Sequence, residues 1–207
     1  MIRRRTALSV SAASAVLLAA PLLTACGNDA RPGAAAVIDG ERITVAQLQA
    51  NVRVVRDAQR ESPQAQQLVA GSGRLNQDVL ARLIKYEVIE RAARQSGVTV
   101  TRREVQQARK QVESRQGGAD TLRALYLQQG VAPRQIDQEV RVGVTRVKLD
   151  RALGPQGASE LLVRTSKALD IEVNPRYGTW DDMRGLALAQ DPWLRPAEAD
   201  RQQQQPA

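Results

Sequence analysis

Histidine and phenylalanine are absent from this chain, cysteine occurs once, and the only aromatic residues are two Trp and three Tyr. Without histidine, imidazole general bases, Ser-His-Asp arrangements and histidine-ligated metals are all excluded. A single cysteine, Cys26, excludes an internal disulfide, so an oxidising compartment would add nothing to stability. Nucleic-acid binding calls for a basic stripe interleaved with stacking aromatics. Here the arginines are scattered among Glu and Gln, which is how a solvated helix surface looks. No ATP site is visible and no cofactor is expected. Carboxylate chemistry stays open, with Asp181-Asp182 beside Trp180 as the candidate pair, although adjacent carboxylates at a chain end more often cap a helix or face solvent.

What is present begins with Arg3, Arg4 and Arg5, followed by an uncharged apolar run from Ala7 to Leu23. That is the layout of a secretory signal. The run is diluted by Ser9, Ser11, Ser14 and alanines and is short of the roughly 20 residues a permanent span needs, so cleavage is expected. It ends in Leu23-Thr24-Ala25-Cys26, an aliphatic residue, two small ones and a cysteine, which matches the lipobox of bacterial lipoproteins. Cys26 is therefore the expected lipidation site, against the alternative of an ordinary small core residue. At about 0.8 kcal/mol per buried methylene, two acyl chains would supply on the order of 20 kcal/mol, a permanent anchor. The expected location is the extracytoplasmic face of the cell membrane; the arginines only partly meet a twin-arginine signal, so the export route stays open. Removing residues 1–25 from 207 leaves 182 and takes the net charge from +8 to +5. That is enough chain for one domain with a proper core.

Residues 26–35 read as a flexible tether rich in Gly, Ala and Asn. Val37-Ile38-Asp39-Gly40-Glu41-Arg42-Ile43 then predicts a hairpin turning at Asp39-Gly40. Thr44 with Gln47 forms a capping box for a helix that buries Leu48, Val52 and Val55 and fades near Arg60. A short helix over 64–70 and a break at Gly71-Ser72-Gly73 lead to the strongest helix, about 75–95. Its arc of Val79, Leu80, Leu83, Ile84, Val88, Ile89 and Ala92 is wide enough for more than one neighbour, and Gly97 ends it. After extended Val98-Thr99-Val100, Thr101 and Glu104 box a helix carrying Val105, Ala108 and Val112. Asp120 is expected to cap the next, with Leu122, Leu125 and Tyr126, stopped by Gly130. Pro133 opens a further helix whose expected buried face is Ile136, Val140, Val144 and Val147, broken at Gly154-Pro155 before a shorter helix with Leu161, Leu162 and Ala168. Ile171 and Val173 alternate with polar residues as a strand that Pro175 confines to an edge. Residues 183–207 are expected to be a disordered polar tail, which leaves 36–182 as the folded module.

The opening, Val37 to Thr44, and the ending, Val173 to Trp180, at opposite ends of a helical run resemble the SurA-type chaperones and related isomerase lipoproteins (the SurA/PrsA-related family). The resemblance covers roughly residues 35–182. It implies a mainly α fold, a helical SurA-like module in which a small β-element pairs the N-terminal hairpin with the C-terminal strand, and a cradle for unfolded polypeptide. Isomerases of that family carry a parvulin domain with histidines and a Phe-rich pocket between the helices and the ending. Only Gly154 to Ala168 stands there, with neither residue type, so isomerase activity is not expected.

The leading expectation is a membrane-anchored chaperone-like lipoprotein that binds unfolded or exported polypeptides without catalysis. The alternative is a structural or assembly lipoprotein with one dedicated envelope partner. Val52, Val55, Val105 and Val112 are candidate groove residues, but such helical stripes more often serve as plain core, and no metal or catalytic residue is expected.

Overall fold

The computed structural model describes residues 33–188. The signal, the lipobox and Cys26 lie outside the described residues. Strand β1 (Ala34–Ile38) is buried along its whole length and turns through Asp39-Gly40 into β2 (Glu41–Thr44). Asp39 (φ 52°) and Gly40 (φ 78°) both take left-handed backbone, the turn that matches the twist of a two-residue hairpin. On the other side of β1 lies β3 (Glu172–Val173), also antiparallel, with Ala36 opposite Val173, so the sheet order is β2-β1-β3. The expected closure of the two chain ends is therefore present. Asn174 seals it, donating from Nδ2 to the Ala34 carbonyl at 3.2 Å and from its backbone N–H to the Ala35 carbonyl at 3.0 Å.

Helices α1 (Val45–Arg60) and α4 (Arg102–Arg115) both open with the reciprocal capping boxes their sequences specify, at Thr44/Gln47 and Thr101/Glu104. Between them stand α2 (Ala65–Ala70) and α3 (Leu75–Gln95). α3 buries residues around much of its circumference because it packs against α1, β1 and the last long helix at once. Leu80 and Ile84 are fully buried in the main core with Leu48, Val52 and Val55; each such side chain stabilises the fold by about 1.5–3 kcal/mol. The N–H groups of Gly97 and Val98 close on the carbonyls of Arg94 and Ala93, ending the helix as expected.

Helix α5 (Ala119–Gln128) departs from expectation at its start. Gly118 is the capping residue, so Asp120 falls inside the first turn and its carboxylate takes Arg123 at 2.8 Å instead of capping. After a 3-10 turn at Pro133–Gln135 comes α6 (Ile136–Ala168), kinked at Gly154 but resuming at once at Pro155. Its buried face also differs. Ile136 and Val140 pack with Val105, Leu122 and Val131, whereas Leu149 turns to Ala92 and Ala158 in a separate cluster. Val147 lies past the last apolar layer of the first cluster and is 55% exposed; Ala168 is exposed too, the later turns burying Thr165 and Ser166 instead. α6 thus has two buried stripes, one for each set of neighbours, where sequence spacing suggested one.

Two boundaries move as well. β1 starts inside the expected tether, at Ala34. Ordered chain also continues past Asp182, because β4 (Thr179–Asp181) pairs with β5 (Gly185–Ala187) in a second hairpin where a tail was expected.

Candidate functional site

A groove of about 940 Å³ opens between α3, α6, the end of α5 and the β4–β5 hairpin. Its apolar lining comes from Val88 and Ile89 of α3, Val142 and Leu162 of α6, and Trp180 and Leu186 of the hairpin. Gly143, one helical position on from Val142, leaves a gap: a Cβ built there meets nothing within 4 Å. At the rim Met183 is 81% exposed, beside Lys85, Arg146 and Arg184.

The hairpin forming one wall is held by a chain of hydrogen bonds. Trp180 Nε1 donates to Ser166 Oγ at 2.8 Å, and Ser166 Oγ donates to Asp182 Oδ1 at 2.6 Å. The turn is made by Asp181, whose Oδ1 accepts the N–H groups of Met183 (3.0 Å) and Arg184 (2.8 Å). These bonds and the Arg184 guanidinium hold the Asp181 carboxyl below the usual carboxylate range. Both members of the candidate acidic pair are therefore occupied in building the hairpin. Upstream, Gly178 (φ 131°) passes so close to the strand opposite that a Cβ would overlap the Ala187 carbonyl. The Tyr177-Gly178-Thr179-Trp180 motif is thereby a device for seating the hairpin on α6.

The end wall is a polar knot. Arg82 donates to the carbonyls of Gly130 (2.8 Å) and Gln129 (2.7 Å), satisfying the end of α5, and its Nε lies 3.7 Å from Glu139. The Tyr86 hydroxyl donates to the same carboxylate. Burial first, then that hydrogen bond, push the Tyr86 phenol far above its ordinary value; burial and Glu139 raise Tyr126 as well. Both phenols thus stay neutral, and the knot ties α3, α5 and α6 together without offering a base or nucleophile. Among the described residues no group of three His, Cys, Asp or Glu could hold a metal ion, and no helix is long and apolar enough to cross a membrane.

Of the residues singled out in the sequence, Val52, Val55 and Val105 are core, at 1%, 0% and 3% exposure, and Val112 packs on the second cluster. The groove's hairpin wall was missed because the apolar run after Asp182, Leu186-Ala187-Leu188, is too short to read as a strand by itself and the chain beyond it is polar and punctuated by proline. The signal that could have found it is Asp181 followed by Gly185 across a short polar loop, which is turn chemistry.

No curated protein and no solved structure matches the chain. A family model described as the SurA-like N-terminal domain matches residues 1–150, which reach from the N-terminus into α6. On that match, together with the pairing of β1 with β3 around a helical body, the chain belongs to the SurA-like N-terminal domain family.

Proposed function

We propose that this protein is a lipid-anchored, non-catalytic polypeptide-binding module on the extracytoplasmic face of the membrane, which holds unfolded or exported chains in the groove between α3, α6 and the β4–β5 hairpin. The observation that carries the reading is the groove itself, whose volume of about 940 Å³ is near the top of the range of about 300–1,000 Å³ for ligand sites. Apolar side chains at its base and a rim of mixed charge suit reversible burial of client side chains with little demand on client sequence. A role without catalysis is supported by chain order: α6 ends at Ala168 and β3 starts at Glu172, with only Leu169, Asp170 and Ile171 between them. The lipobox ending at Cys26 supports the anchor, and tethering raises the local concentration of the groove near the exit of an export channel.

The test is suppression of aggregation of several unrelated denatured proteins by residues 27–207, compared with Gly143→Leu. The added side chain enters open space in the groove and replaces a helical glycine, so the variant is expected to fold and to lose most of the suppression. Failure of the unaltered chain against every client at several-fold molar excess would overturn the chaperone reading and favour a single dedicated envelope partner.

A further inference from the structure

The hairpin that walls the groove also leads into the rest of the chain. Leu186 of β5 lines the groove, and alternation along an extended chain sets Leu188 on the same face, 38% exposed. The Leu188 Cα lies against Gly178, two residues before Trp180, so the chain leaves the hairpin close to both of its groove-lining side chains. Residues 189–207 follow, and they consist of Ala, Gln, Asp, Glu, Arg and Pro apart from one pair, Trp193-Leu194. Nothing beside that pair in the sequence is apolar enough to cover it.

The groove supplies the counterpart. Leu162, Trp180 and Leu186 are half-buried and face it, and a Cβ at Gly143 meets open space. The five residues from Leu188 to Trp193 span at most about 18 Å, whereas the axes of packed neighbours lie about 8–10 Å apart. The indole can therefore reach from the hairpin wall to α6. Asp191 and Arg195 bracket the pair, and the groove's rim carries both signs of charge, Lys85 and Arg184 with Asp78 and Asp182. We propose that residues 191–195 dock Trp193 and Leu194 in the groove as a built-in competitor, which client segments must displace. This rests on the groove being a polypeptide site and adds its regulation: the apolar walls are covered while no client is present. So short a connection presents the pair at an effective concentration on the order of millimolar. For an intrinsic affinity of about 0.1–1 mM, clients then bind about two- to tenfold more weakly than they would to an open groove.

The experiment uses residues 27–207, which keep every described residue, labelled with 5-fluorotryptophan and read by fluorine NMR; Trp193→Phe assigns the two tryptophan resonances. The Trp193 resonance is expected away from that of a free peptide of residues 189–196 and unchanged on dilution of the protein. It is expected to return toward the free position in Gly143→Leu, whose side chain fills the gap. Should Gly143→Leu fail to fold, Gly143→Ala, which puts one methyl group into the same space, serves in its place. In a second arm, fluorescence anisotropy follows a labelled leucine-serine decapeptide, which Trp193→Ser/Leu194→Ser is expected to bind about two- to tenfold tighter than the unaltered chain does. A Trp193 resonance at the free position, one that the Gly143 variant leaves in place, or measurable but equal affinities for the decapeptide overturns the proposal. A displacement lost on dilution overturns it too, by assigning the groove to a second copy's segment. A held Trp193 that the Gly143 variant releases, with the decapeptide binding neither form, supports the internal occupant and overturns the reading of the groove as a client site.

Discussion

At the scale of single residues, the C-terminal motif owes its form to one glycine. Gly178 has left-handed backbone, and a Cβ there would meet the Ala187 carbonyl, an atom of the backbone that cannot swing aside. Gly178→Ala is therefore expected to unseat the β4–β5 hairpin and cost about 1–3 kcal/mol, from strain and from the loss of the packing it holds. Trp180, bonded to Ser166, reports the change: in a Trp193→Phe background its emission should shift to the red, and an unshifted spectrum would show that the hairpin does not depend on this residue. Tyr177, next in line, is 4% exposed with Arg176 over its ring at 5.2 Å. The motif's residues are thus architectural, and the resemblance they carry is one of fold.

At the scale of elements, α4 and α6 each contribute a measurable property. The Glu104 carboxyl accepts from Lys148 of α6 at 2.7 Å and then from Thr101 at the start of α4, which lowers it from its ordinary 4.5 to about 2. Because its folded value lies below its unfolded one, its stabilising contribution is complete above about pH 4.5 and is lost as pH falls toward 2. Urea midpoints measured across that window should fall less steeply for Glu104→Gln than for the unaltered chain. Equal slopes would show that the bridge, which is only partly exposed, contributes nothing. In α6 the break is at Gly154 (φ 74°, ψ 158°), a region that is closed to side chains, with Pro155 opening the helix that follows. Gly154→Ala is expected to cost about 1–3 kcal/mol in guanidinium unfolding, and an unchanged midpoint would mean that the kink relaxes freely. The kink matters to the site, because it lets the first half of α6 supply Val142 to the groove and the second half supply Leu162 and Ser166.

For the whole molecule, the proposed anchor and the groove are tested separately. Cys26→Ser is expected to move the protein from the membrane to the aqueous fraction in fractionation, and a processed variant that still sediments with membranes would remove the case for lipidation. Gly143→Ala separates stability from function in the opposite way to Gly178→Ala. Replacing a helical glycine where a Cβ has free space should stabilise the fold by about 0.5–1 kcal/mol in thermal unfolding, and a loss of stability would mean that α6 is more tightly covered there than the open groove implies. Most helices were legible because their signals are local: the capping boxes at Thr44 and Thr101, the Asp39-Gly40 turn and the apolar arc of α3 each lie within a few residues of the structure they specify. Asp120 and Val147 were misread for a shared reason. Whether a residue caps or pairs, and which stripe of a helix is covered, depends on neighbours far along the chain.

By itself the sequence determined the order of the helices, the turn that makes the first hairpin, the absence of histidine chemistry and the expectation of an anchor at Cys26, all of them properties of short spans or of composition. Tertiary structure alone decided that Gly185–Ala187, after Asp182, return as a strand, that Asp181 and Asp182 build a turn, and that valines on amphipathic stripes are core. It also decided where a groove opens. A concavity is the space left when several elements pack, bounded here by residues from Asp78 to Leu186, and no local pattern encodes the gap between them.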